Sequence, residues 1–217
     1  MHEEGPPPGG PSRYKRRVRR VLPLVAASLL AVGCGGHGDD AGRLEVSVLP
    51  KLVLQPSDVP RLGRFDVGRI TRFDAPEGPR ANPRRFDRLD GWKADYKTSG
   101  GTSASGALVV HSQVDLFGGS DGAGRELEAS ADQFRGAREA SPRTTRLFEP
   151  AIGDRATALA LTQPGRPPLH VFTVAWADGH VTASVTVNGF KGLTEADVLR
   201  LARRQERRIA AAESGSS

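Results

Sequence analysis

Residues 171–188 read VFTVAWADGHVTASVTVN: apolar and small polar side chains alternate on both sides of Asp178-Gly179. An Asp-Gly pair between two alternating runs is the strongest short-range signal for a β-hairpin. It predicts strands over Leu169–Ala177 and His180–Asn188 with a two-residue turn, Ala177 facing His180, Trp176 facing Val181 and Phe172 facing Val185. One face then carries Phe172, Val174, Trp176, Val181, Ala183, Val185 and Val187, and needs a helix over it. The other carries Thr173, Ala175, His180, Thr182, Ser184 and Thr186. A tight hairpin also makes this part of the sheet antiparallel, because parallel neighbours need long crossovers.

Working outward, Arg155–Leu161 reads as a further strand, as do Leu52–Leu54, Gly91–Tyr96 and Gly106–Phe117; in the last, Leu108, Val110, Val114 and Leu116 alternate with polar neighbours. Ala123, Leu127, Ala131 and Phe134 form one apolar stripe, the mark of a helix. A second helix is predicted after Thr194, with Asp197 completing a capping box and Val198, Leu201, Ala202 and Ile209 on one side. The fold class is therefore α+β, a mainly antiparallel sheet with two packed helices in the order βββαβββα. Arg-Phe-Asp occurs at 64–66, 72–74 and 85–87, too unevenly for a repeat; each Phe is expected to face the core, with Arg and Asp outside.

The charge is concentrated at one end. The chain has 217 residues and a formal charge of +6. Residues 1–33 hold six Lys/Arg against two Glu (+4), which leaves 25 against 23 (+2) for the rest. Arg13 to Arg20 is a basic block, Val21–Val32 an apolar run, and Gly33-Cys34-Gly35-Gly36 a small-residue zone: the three regions of an export signal. Twelve helical residues reach about 18 Å, short of the roughly 30 Å hydrocarbon core, so the run is not read as a membrane span. Export and a mature charge of +2 argue against a nucleic-acid partner. The Pro/Gly-rich opening MHEEGPPPGGPS delays the basic block, which suggests initiation at Val18 rather than Met1. The Arg pairs lack the continuation of a twin-arginine signal, so general secretion is expected.

Cys34 is the only cysteine, which excludes an internal disulfide. Ala31-Val32-Gly33-Cys34 resembles the lipobox of bacterial lipoproteins, with Ala31 where leucine is usual and Leu30 one place earlier. The resemblance implies cleavage after Gly33, diacylglyceryl and palmitate-type acylation of Cys34, and a cell-membrane anchor on the extracytoplasmic face. Domain organisation follows: 1–33 extension and signal peptide, 34–43 acylated cysteine and tether, 44–213 one α+β domain, 214–217 a frayed tail. Within the domain, Gly91-Trp92 opening a strand, Ile152-Gly153-Asp154 before a strand, and a closing hairpin ending in Val187-Asn188-Gly189 look like the Mog/PsbP-like domains of small actinomycete-type lipoproteins. That resemblance implies a binding or accessory role outside the membrane and supplies no catalytic residue.

Chemistry is sparse. Gly118-Gly119-Ser120-Asp121-Gly122 has the form of a nucleophile elbow, and Ser120, Asp154 and His180 follow in hydrolase order. An elbow needs a parallel sheet beneath it, which the 178–179 hairpin opposes. The glycine spacing fits neither a dinucleotide loop nor a Walker loop, so the segment reads as a helix start capped by Ser120 or Asp121, and no cofactor is expected. His111, His170 and His180 fall on separate strands without clustered ligands, so no metal site is expected. Arg200, Arg203, Arg204, Arg207 and Arg208 share a helix face that could meet anionic headgroups, each worth up to about 1 kcal/mol near a surface.

The leading reading is a lipid-anchored, non-catalytic binding or sensor-like accessory domain whose partner is a small polar or glycan-like ligand or an envelope protein. The hydroxyl-bearing face Thr173, His180, Thr182, Ser184 and Thr186, beside the Gly/Ser/Thr segment 98–106, is the candidate surface. The alternative is a secreted serine hydrolase using Ser120, detectable as esterase activity lost in Ser120→Ala.

Overall fold

In the computed structural model the described residues are 44–70, 84–98 and 106–215, all within the compact unit His37–Ser217. The signal, Gly33, Cys34, the tether, Arg-Phe-Asp 72–74 and most of the 98–106 segment lie outside them. Seven strands form one antiparallel sheet: β1 (Gly63–Arg69), β2 (Arg88–Lys97), β3 (Ala107–Phe117), β4 (Thr145–Phe148), β5 (Arg155–Gln163), β6 (Leu169–Asp178) and β7 (Val181–Gly189). Their order is β1-β2-β3-β7-β6-β5-β4. Two meanders thus meet at the β3–β7 pair, and the long helix α2 (Ser120–Ala140) makes the crossover between them. The α+β class stands. The element order is corrected to βββαββββα, preceded by a short helix α1 (Leu49–Leu52) and closed by α3 (Glu195–Gly215), two residues past the expected domain end.

The corrections have local causes. Leu52–Leu54 is not a strand. Leu49 and Leu52, three residues apart on one helical turn, are both buried, and extended Val53 and Leu54 follow them into the core. The true first strand, β1, has six of seven residues exposed or nearly so and no clean alternation; only backbone pairing to β2 makes it a strand. β4 is a four-residue edge strand, too short for a pattern to register.

The hairpin exists with its register moved by two. Asp178 pairs with Val181, Trp176 with Ala183 and Phe172 with Val187, so Gly179-His180 is the turn. Gly179 sits at φ +49, a conformation that glycine takes without strain, and it occupies the first central position of the turn. Because the move is by two, every side chain except that of His180, which passes into the turn, keeps its predicted face.

Each face has its own helix. α3 lays Val198, Leu201, Ala202 and Ile209 on Val174, Trp176, Val181, Val185 and Val187, together with Val110, Val114 and Leu116 of β3. Thr194 starts α3 as predicted: its hydroxyl accepts from the Asp197 N–H (3.3 Å), and Asp197 Oδ2 accepts from the Thr194 N–H (3.1 Å). One fully buried polar residue crosses this layer. Gln205 accepts from the Ser112 hydroxyl (2.8 Å) and donates to the Gln113 carbonyl (2.9 Å), while Ser112 accepts from the Leu54 N–H (2.9 Å). The chain is complete, so it ties α3, the sheet and the 53–54 segment together without an orphaned group.

Candidate functional site

The opposite face is built by α2. Its start is a seat for a neighbouring turn. Gly119 is an extended N-cap (φ −160) with no side-chain cap, so Ser120 is the first helical residue and neither it nor Asp121 serves as the expected cap. Gly118 donates its N–H to the Asp87 carbonyl (2.9 Å), and a Cβ on Gly122 would stand 2.2 Å from the Phe86 carbonyl oxygen. The glycines therefore admit the 85–87 turn, a requirement invisible along the chain. Phe86 and Asp87 are both left-handed (φ 57 and 59), at a cost of order 1–3 kcal/mol each. Offsetting contacts surround them: Arg85 pairs with buried Glu126 (2.7 Å), and the Arg85 and Arg125 guanidinium groups stack on the Phe86 ring at 4.9 and 4.5 Å.

The Arg-Phe-Asp expectation holds in part where it is described: Phe86 packs against the Phe117 cluster and Arg64, Asp66 and Asp87 are exposed, but Phe65 and Arg85 depart from it. Phe65 on β1 is 47% exposed, whereas Arg85 is tucked against α2. Aromatic character alone did not decide burial, because β1 is an edge strand and the 85–87 turn has a buried carboxylate to receive its arginine.

The first half of α2 packs most closely on the sheet, and Phe134 of its second half packs against the same cluster. Ala123 and Leu127 meet Phe117, Ala175 and Ala177, and Thr182 is buried in the same region. Beyond Ser130 a cleft of about 340 Å³ opens between helix and sheet. Its floor comes from four neighbouring strands: Lys93 and Asp95 of β2, His111 and Gln113 of β3, Ser184 and Thr186 of β7, and Thr173 of β6. Ser130, Gln133 and Phe134 of α2 form the wall.

Its polar groups are ordered by one another. Asp95 Oδ1 lies 2.9 Å from His111 Nδ1. A carboxylate can only accept, so Nδ1 carries the proton of this bond. The Thr173 and Thr186 hydroxyls are 3.1 Å apart across β6 and β7. Lys93 Nζ reaches Asp66 at 2.7 Å, and Gln113 donates to Asp115, which is held by Arg88 at 2.6 Å. Hydroxyls, amides and a carboxylate–imidazole pair beside one aromatic ring suit many hydrogen bonds to a small polar molecule.

Of the five residues expected on this surface, Thr173, Ser184 and Thr186 line the cleft together. Thr182 does not; it is 7% exposed, opposite Asp115. His180 is in the turn at the far end, with Nδ1 buried and unpartnered. This face is not left bare: α2 packs over Ala175 and Ala177, and the cleft remains beside them. Lys93, Asp95, His111 and Gln113 were not anticipated there, because only the long-range β3–β7 pairing brings them beside Ser184 and Thr186.

Ser120 and Asp154 line a separate shallow cleft with Gly179. Asp154 Oδ2 accepts the Gly179 N–H (3.0 Å), and His180 Nδ1 has no partner, so the hydrogen bond by which an acid orients the histidine of a triad is missing. β3 is flanked by antiparallel strands on both sides, so the elbow also lacks its parallel sheet. His111, His170 and His180 remain apart, and among the described residues no three His, Cys, Asp or Glu side chains are grouped to hold a metal. No helix among the described residues is long and apolar enough to cross a membrane.

The five arginines of α3 divide. Arg200 pairs with Asp197, and Arg204 and Arg208 with Asp58, while Arg203 and Arg207 are exposed and make no such pair among the described residues. Near the 179–180 turn, Glu213 of α3 is pushed up to about 7 by burial and by the neighbouring Asp178 and Asp154. Asp178 is raised by burial and by Asp154 and Glu206.

No family model matches the chain, and no curated protein matches it. Among solved structures it is similar to the crystal structure of the extracellular domain of PknH from Mycobacterium tuberculosis, with a TM-score of 0.57. The alignment covers 78% of this chain and 98% of that domain. The likeness is one of fold. At 11% identity it carries over no residue roles, and it does not bear on the Mog/PsbP-like resemblance.

Proposed function

We propose that this chain is an extracytoplasmic, non-catalytic binding domain, anchored to the cell membrane through acylated Cys34, that takes a small polar or glycan-like molecule in the cleft beneath the second half of α2. The observation that carries the reading is the cleft floor: hydroxyls of Thr173, Ser184 and Thr186 meet the Asp95–His111 pair and Gln113 from the other meander. Its volume lies at the small end of the range for ligand sites, about 300–1,000 Å³. The signal-like N-terminus supports export, as does the shared fold with a domain that is extracellular in its own protein.

The test pairs Thr173→Val with Thr186→Val. These hydroxyls bond to each other, so replacing both by isosteres should change stability by less than about 1 kcal/mol. With a panel of neutral oligosaccharides, wild type should show a saturable rise in Tm that the double variant loses. An equal rise in both proteins, or none in wild type across the panel, rejects the site. For the anchor, Cys34→Ser should release the protein from membranes; retention after carbonate washing counts against acylation.

A further inference from the structure

A further concavity lies on the α3 face of the sheet and shares no lining residue with the polar cleft. It is a groove of about 660 Å³ between residues 57–62, the ends of β3 and β7 that carry Val110 and Val187, and the first turns of α3. Its floor is apolar: Val59, Val110, Val187, Leu193 and Leu201 are all buried residues that line it.

Its rim carries Arg61, Arg200 and Arg204 with Asp58 and Asp197, so among the described residues that line it the cations outnumber the acids. Arg61 makes no ion pair or hydrogen bond with any described residue. Arg204 stands 3.7 Å from Asp58, but that carboxylate is already taken by Arg208 (2.7 Å) and by the Gln55 N–H (2.7 Å). Arg200 reaches Asp197 at 2.7 Å, whose other oxygen is committed to the Thr194 cap. Three guanidinium groups therefore surround an apolar trough in which both acids have other partners.

We infer that this groove binds a single-chain anionic amphiphile, with the alkyl chain along the accessible Pro60, Leu62 and Ala107 above the buried Val59, Val110, Val187 and Leu201, and the carboxylate or phosphate head at Arg61, Arg200 and Arg204. An alkyl chain suits a floor with no hydrogen-bonding side chain, and a headgroup oxyanion completes the rim through charge-assisted bonds. A neutral glycan fits neither feature, so this site and the polar cleft differ in ligand class.

The experiment uses the full chain carrying Cys34→Ser, so that no attached acyl group competes. Laurate below its micelle concentration is titrated while the methyl resonances of Val110, Val187 and Leu201 are followed. Dodecyl maltoside supplies the same chain without charge, and inorganic phosphate supplies charge without a chain. Laurate should give saturable shifts of these methyls and leave Thr173 and Thr186 unmoved. Arg61→Glu, on an exposed turn, should weaken binding at least about tenfold, the scale of one charge-assisted contact. Arg203→Glu, exposed on α3 outside the groove, should change it less than about twofold, since bulk charge alone is screened. Equal binding of dodecyl maltoside, equal binding of phosphate alone, equal effects of the two arginine variants, or no shift at these methyls each overturns the inference.

Discussion

The two faces of the sheet are made from the same strands, yet they are organised by different forces. On the α3 face the strands present Val110, Val114, Val174, Trp176 and Val185 to a helix, with Gln205 as a single, fully satisfied polar crossing. On the α2 face a smaller apolar cluster of Phe117, Ala123, Leu127, Ala175 and Ala177 seats the helix, and around it the strands present Lys93, Asp95, His111, Gln113, Asp115 and Ser184, with ion pairs of Arg88 with Asp115 and Arg85 with Glu126. Apolar area removed from water contributes about 25 cal/mol per Å² wherever it is buried. Ion pairs and hydroxyls return little net energy but fix positions. The α3 face, with the larger apolar cluster, supplies most of the stability, and the α2 face, where a cleft remains between helix and strands, supplies a shaped polar surface.

The comparison breaks most directly at Trp176. It is fully buried beneath α3, and Trp176→Ala should cost about 3–5 kcal/mol, read as a fall in the urea midpoint. A loss under 1 kcal/mol would mean that the α3 face is not the stabilising one.

A slightly smaller effect tests the other face. Arg88→Met leaves the buried Asp115 carboxylate without its guanidinium and should cost about 3 kcal/mol, while Arg88→Met with Asp115→Leu should recover most of that loss. If the double variant is as unstable as the single, the pair stabilises by its own attraction and the proposed division of labour is wrong.

Gly122→Ala sharpens the account of α2. Alanine gains up to about 1 kcal/mol of helix propensity over glycine, but its Cβ would stand 2.2 Å from a backbone oxygen at Phe86. The clash should win, leaving a net loss of about 1–2 kcal/mol; a stabilised variant would show that the 85–87 turn is not seated there.

The smallest effect lies at the C-terminal end of α3. Glu213 has its carboxyl raised to about 7 from an ordinary 4.5. The folded state therefore holds this proton more tightly than the unfolded chain does. The associated stability is full below about pH 4.5 and is lost as pH rises through about 7. Because the carboxyl is half-exposed and screened, the change should stay under about 1 kcal/mol. Glu213→Gln should flatten that part of a Tm-against-pH curve; an unchanged slope between pH 5 and 8 would place the titration elsewhere.

Much of the fold was legible where a pattern repeats over enough residues. The apolar periods of α2 and α3, the alternation in β3, β6 and β7, and the Thr194–Asp197 capping box each identify their element. Even with its register two residues off, the hairpin kept its faces, since a strand's side-chain period is two. β1 and β4 escaped notice because edge strands are held by backbone bonds that any side chain permits.

The candidate site was legible only in part, and the reason is physical. Thr173, Ser184 and Thr186 were found because they alternate within one hairpin, a local property. What the residue pattern by itself determined was the α+β class, the two faces of the closing hairpin and the caps and stripes of its helices, all set by side-chain periods a few residues long. Only the tertiary structure decided that β3 pairs with β7, bringing Asp95, His111 and Gln113 to those hydroxyls, and that Thr182 is buried while a cleft remains between α2 and Ser184. Those outcomes depend on where the 85–87 turn seats α2 against Gly118 and Gly122, a contact between segments more than thirty residues apart that no local pattern encodes.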